Sequence, residues 1–121
     1  SPYAKFFDEA SPCWEKNPEH NLFFLRSQQN WANDKLKCNG ILFLNDVYEM
    51  LGLPKTKAGQ VVGWVYDEKN QVGDDYVDFG IYDGNRERVR DLVNGYERSI
   101  LLDFNVAGNV YDLMDQKFSK F

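Results

Sequence analysis

Asp78 and Asp103 are the two side chains best placed by residue type to act as an acid–base pair, or to hold a divalent cation through oxygen ligands. Each lies in a stretch whose apolar residues alternate. In Tyr76–Tyr82, Val77, Phe79 and Ile81 point one way, and Tyr76, Asp78, Gly80 and Tyr82 the other. In Ser99–Val106, Ile100, Leu102, Phe104 and Val106 alternate with Leu101, Asp103 and Asn105. Neighbouring strands built from these stretches would bring both carboxylates to one sheet face beside Tyr76, Tyr82 and Asn105. The competing reading is a solvated sheet face, because spacing leaves the pairing register open.

Other patterns carry less chemistry. The loop Asp67–Asp75 has the acidic content of a calcium loop but fails EF-hand spacing: Lys69 stands where an oxygen ligand is required, and Gly73 comes one position late. It reads as a solvated hairpin loop. Asp78-Phe79-Gly80 spells the metal-binding triplet of kinases without the Gly-rich loop, strand lysine and catalytic loop that give it meaning. Arg86, Arg88 and Arg90, with Lys55 and Lys57 elsewhere, could meet a phosphate near Asn85. A solvated helix face paired locally with Glu87 and Asp91 is the simpler account. No P-loop, dinucleotide fingerprint, nucleophile elbow or HExxH occurs, and His20 is the one histidine. Cys13 and Cys38 form no CxxC and read as unlinked thiols. No cofactor is expected.

Aromatic residues make up 16% of the chain, against a net charge of −5. The acidic balance disfavours a generic nucleic-acid partner, which needs a basic face. The longest apolar runs, Leu22–Leu25 and Ile100–Leu102, are far short of a membrane span. Trp64 sits in an apolar run and is expected in the core. Phe6, Phe7, Trp14 and Trp31 are the candidates for partner contacts, since aromatic residues dominate interface energetics.

The 121 residues suit a single domain. Residues 1–16 read as an aromatic arm packed on the domain, with a turn at Asp8–Pro12, and residues 17–121 as one globular unit. Asn17-Pro18 is a helix start, followed by the stripe Leu22, Leu25, Ala32 and Leu36 and the stop Gly40; Gln28, Gln29 and Asn30 are expected to face solvent. A second helix follows Asn45 as N-cap and ends at Gly52. Near Gly40 the two would join as an αα-hairpin. Strands are expected at Val61–Tyr66, Tyr76–Tyr82 (paired with it as a hairpin) and Ser99–Val106, with a short helix around Val89, Leu92 and Val93 between the last two. A terminal helix carries Met114, Phe118 and Phe121. The order α-α-β-β-α-β-α is α+β: helices on a small, mainly antiparallel three-stranded sheet.

Four long segments, NPEHNLFFLRSQQNWANDKL, FLNDVYEMLGLPKTKAGQVVGWVYD, DDYVDFGIYD and VNGYERSILLDFNVAGNVYDLM, resemble the C-terminal domain of an uncharacterised family encoded by phages and prophages of Gram-positive, often gut-dwelling, bacteria. The resemblance runs from about Tyr3 to Met114. It departs at Ala107, where the family usually carries Asp, which puts any role of that Asp in doubt here. No catalytic residue carries over. The resemblance implies hydrophobic segments and a charged stretch ahead of this domain. The chain would then be the soluble C-terminal part of a membrane-anchored phage protein, in the host-cell cytoplasm or on the cytoplasmic membrane face. The function expected is a non-enzymatic interaction module for a host or phage protein, with self-association left open. The alternatives are a small metal- or ligand-dependent enzyme using Asp78 and Asp103, and a virion structural subunit.

Overall fold

The computed structural model describes residues 1–81 and 99–118. The elements run β1 (Lys5–Asp8), α1 (Pro18–Asn39), β2 (Ile41–Phe43), α2 (Leu44–Met50), a 3-10 turn (Ala58–Gln60), β3 (Val62–Val65), β4 (Ser99–Leu102), β5 (Gly108–Asn109) and α3 (Val110–Phe118). The architecture is α+β, with three helices and two small antiparallel sheets among the described residues.

Helix α1 forms where the sequence places it. The Asn17 side chain accepts the His20 N–H at 3.2 Å, and Pro18 opens the helix where its missing N–H costs nothing. Gly40 ends it at φ 78°, in the left-handed region, donating its N–H to the Leu36 carbonyl at 2.8 Å. Leu22, Leu25, Ala32 and Leu36 are buried along the inward stripe. The turn at Asp8–Pro12 is also present: the Ser11 N–H donates to the Asp8 carbonyl at 2.8 Å, and the Ser11 hydroxyl accepts the Asp8 N–H.

The sheets differ from the expected one. Strand β3 is central, as its unbroken apolar run implies, and all four of its residues are buried. Its neighbours are β2 and β5, with Leu42 opposite Trp64 and Gly63 opposite Gly108. Strand β2 separates the first two helices, so α1 and α2 are not joined directly as an αα-hairpin. The second sheet pairs β1 of the arm with β4, Phe7 lying opposite Ile100. The arm is thus bound by a ladder as well as by packing.

The alternation at 76–81 is real, since Val77, Phe79 and Ile81 are buried while Tyr76 is exposed, but no strand forms there and it makes no hairpin with β3. Amide side chains accept the N–H groups of Val77, Asp78 and Phe79 instead. Asn33 accepts the Val77 N–H at 2.7 Å and donates to the Val77 carbonyl at 3.0 Å, and Gln29 accepts the Phe79 N–H at 2.9 Å. Gln29 therefore faces inward, contrary to the expectation of a solvated amide. Asn45 departs in the same way: it lies inside the first turn of α2 instead of capping it, and its side chain clasps both the N–H and the carbonyl of Thr56 at 2.9 Å. Asn21 does likewise with Glu15, at 2.9 and 2.7 Å. A planar amide offers one donor and one acceptor side by side, so it completes a single residue's backbone pairing where a ladder stops. The expected helix around Val89, Leu92 and Val93 lies outside the described residues, as do Tyr82 and the three arginines.

Both sheets and the helices enclose one main core. Tyr48 and Phe79 each meet Phe104 edge-on, with ring centroids 5.6 and 5.4 Å apart. Trp64 is wholly buried, as expected, with its indole N–H bonded to Asn105. The Tyr48 hydroxyl donates to the Tyr3 carbonyl at 2.7 Å. Burial, reinforced by the neighbouring Tyr3, pushes the Tyr48 pKa up to about 12 from 10.0. The unfolded chain loses this proton first. The stabilisation is therefore complete below about pH 10 and is lost as the pH rises through about 12. Urea titrations between pH 9 and 12 are expected to show stability falling by up to about 1.4 kcal/mol per pH unit on this account. Tyr48→Phe is expected to flatten that slope at some cost in stability at neutral pH. An unchanged slope in the variant would assign the alkaline loss to other groups.

Candidate functional site

The sequence candidates separate into three environments. Phe6 and Phe7 alternate across β1, so they cannot share a surface. Phe7 is 0% exposed and packs between Trp14, with centroids 5.5 Å apart, and Phe24, 5.8 Å apart and nearly parallel at 18°. It is a core residue, with no side-chain surface left for a partner. Phe6 faces the other side of the ribbon, 60% exposed, opposite Leu101.

Trp14 and Phe24 are half-buried over Phe7. Trp31 lies seven residues beyond Phe24, so the two fall on one line along α1, roughly 10 Å apart in rise. Trp31 is 54% exposed, and the Lys35 ammonium stands 5.8 Å from its ring centroid. A strip of aromatic surface thus runs from the arm along the outside of a 22-residue helix. Phe23 is also exposed, at 68%, but points about 100° round the helix from Phe24. Its lack of a place in the inward stripe was the available signal. The strip has the chemistry of a binding face: flat apolar rings held by a rigid element, with a cation at one end.

Asp78 and Asp103 are brought close by their backbones. The Asp103 N–H donates to the Phe79 carbonyl at 3.0 Å and the Asn105 N–H to the Asp78 carbonyl at 3.3 Å. Gly80, at φ 74°, lies against this crossing, where an added Cβ would come within 2.9 Å of the Asp103 carbonyl. The Asp78 carboxylate has local work, accepting the Gly80 N–H at 2.7 Å, while Asp103 is exposed. Among the described residues no three His, Cys, Asp or Glu side chains group as metal ligands would. The loop at 67–75 is organised around Gln71, whose amide donates to the Val65 carbonyl at 2.7 Å and accepts the Asp67 N–H at 2.8 Å. Cys13 and Cys38 are free thiols. Among the described residues no helix is long and apolar enough to cross a membrane.

Fold and surface together define a small α+β domain with two antiparallel sheets, distinguished by amide-clasped loops and an aromatic strip on its longest helix. The chain belongs to DUF6353, a family of unknown function, which it matches over residues 1–114. No curated protein and no solved structure matches it.

Proposed function

We propose that this domain is a non-enzymatic protein-interaction module, carried by a membrane-anchored protein of phage or prophage origin and working in the host cytoplasm or at the cytoplasmic membrane face. The origin and the anchoring rest on the resemblance of the four long segments. The interaction role rests on one observation: Trp31 is 54% exposed on a rigid 22-residue helix, in line with Phe24 and, through Phe7, with Trp14. Tryptophan on a preorganised surface is the residue type most enriched among binding hot spots. Phe6, on the far side of the ribbon, is a second and separate contact point.

Trp31→Ala removes exposed surface, so it is expected to change stability by no more than about 0.5 kcal/mol. It is expected to weaken partner binding by about thirtyfold, the effect of a hot spot worth about 2 kcal/mol. Quantitative affinity capture from Gram-positive host lysate, with the wild type and Trp31→Ala side by side, checks this. A partner retained equally by both would remove the aromatic strip from the account.

A further inference from the structure

One row of side chains on the outer side of α1 has the same pattern in both directions, with its charges reversed. Glu19, Phe23, Ser27, Trp31 and Lys35 follow one another at intervals of four, which makes them a single ridge of the helix. Ser27 lies about 180° round the helix from the middle of the buried stripe Leu22, Leu25, Ala32 and Leu36. Four residues to either side of it stands an aromatic ring, Phe23 at 68% and Trp31 at 54% exposed. Eight residues to either side stands a charge, Glu19 towards the amino end and Lys35 towards the carboxy end. Neither charge has an ion-pair partner among the described residues, and Lys35 lies over the ring of Trp31.

A two-fold axis beside Ser27 makes this ridge complementary to itself. It lays Phe23 of each copy against Trp31 of the other, and Glu19 of each against Lys35 of the other. Asp34 and His20, seven residues to either side of Ser27, meet in the same way. Ser27 alone meets its own counterpart, and a small side chain at the crossing point lets two helices approach closely.

We infer that α1 pairs with α1 of a second copy of this chain, antiparallel and two-fold symmetric about Ser27. The ridges of both helices then run together at a crossing angle of about −50°, the commonest class of helix packing. The inference rests on the reading of α1 as a binding face and names its partner. The rings supply the affinity, as aromatic pairs between rigid elements. The ion pairs are exposed and add little. They set the direction instead, because a parallel pairing would lay Glu19 on Glu19 and Lys35 on Lys35. Contact through one helix per copy is small, below about 1,200 Å² in total, so the dimer is transient.

Sedimentation equilibrium of the chain between about 1 and 500 μM tests this, the range suited to a small interface. The wild type is expected to pass from monomer to dimer as concentration rises. Trp31→Ala, Glu19→Lys and Lys35→Glu are each expected to raise the dissociation constant about tenfold or more. Mixing Glu19→Lys with Lys35→Glu is expected to restore the dimer, because each copy then meets the opposite charge at both ends of the ridge. A merely structural role of either residue gives no such rescue. Circular dichroism of the three variants should match the wild type, since none of these side chains belongs to the core. A dimer indifferent to Trp31→Ala, or one lost in the single variants without rescue on mixing, would overturn the inference. So would a monomer at every concentration. In that case Trp31-dependent capture of a different protein from host lysate would leave α1 standing as a binding face, and failure of that capture would remove both readings.

Discussion

Asn105→Ala is expected to destabilise the domain by about 3 kcal/mol, although the residue is only partly buried and belongs to no regular element. Its side chain makes four bonds. The amide oxygen accepts the Asp78 N–H at 2.7 Å and the Trp64 indole N–H at 3.1 Å; the amide nitrogen donates to the Tyr76 carbonyl at 2.9 Å and to Asp74 Oδ2 at 3.0 Å. Truncation leaves the Asp78 N–H and the Tyr76 carbonyl without their partners, and each such group costs about 1–3 kcal/mol where water cannot replace the bond. Trp64 keeps the Asn105 backbone carbonyl at 3.0 Å, which caps the loss. In a domain of this size the change corresponds to a fall in Tm of roughly 10 °C. Asn105→Asp is expected not to rescue it: the carboxylate preserves both accepted bonds but loses both donated ones and stands against Asp74. Thermal melts of the two variants check this. Stability within about 0.5 kcal/mol of the wild type in Asn105→Ala would mean that segment 74–79 is held by its buried side chains alone.

The larger effect is expected at Gly63. This residue sits in the middle of β3, opposite both Phe43 and Gly108. An added Cβ would collide with the Leu42 carbonyl oxygen and crowd the Phe43 Cα at 2.9 Å. These are backbone atoms of the neighbouring strand, so no side-chain rotation relieves the clash. Gly63→Ala must push β2 away from β3, against the packing of Leu42 and Trp64. A cost of about 4 kcal/mol is expected, in the range reserved for severe core disruption and a large share of a domain's usual 5–15 kcal/mol. Loss of near-ultraviolet circular dichroism and a sharply lower soluble yield would report it. A variant that melts within a few degrees of the wild type would show that the two strands can separate freely at this point.

The parts of this fold legible in the sequence are those whose signals are local. Helix α1 carries its start, its inward stripe and its stop within its own residues, and the structure follows all three. Strand β3 announces itself by an apolar run on both faces. The signals for the rest lie elsewhere in the chain. Lys5–Asp8 becomes a strand because residues 99–102 lie beside it, and nothing within four residues says so. That strand sets the parity of Phe6 and Phe7, which is why the two could not be sorted into surface and core beforehand. Segment 76–81 shows true alternation without a ladder because Asn33, Gln29 and Asn105 intercept its backbone, and amides at such distances leave no periodic trace. Trp31 stands beside the helical stripe, which left its exposure open in the sequence; the structure leaves it 54% exposed. The Phe43–Tyr111 pair was not legible, since it joins β2 to a helix near the far end of the chain.

The ribbon of β1 with β4 joins residues 5–8 to residues 99–102, a long separation along the chain with a consequence in time. Contacts this distant along a chain close late, because the intervening loop must first lose its freedom. On a ribosome adding roughly 5–20 residues per second, Phe6 and Phe7 would wait on the order of ten seconds for residues 99–102 to appear. Throughout that interval Phe7, the ring that joins Trp14 to Phe24, has no strand behind it. The rings of this nascent segment stay without their ladder until residues 99–102 arrive to cover them.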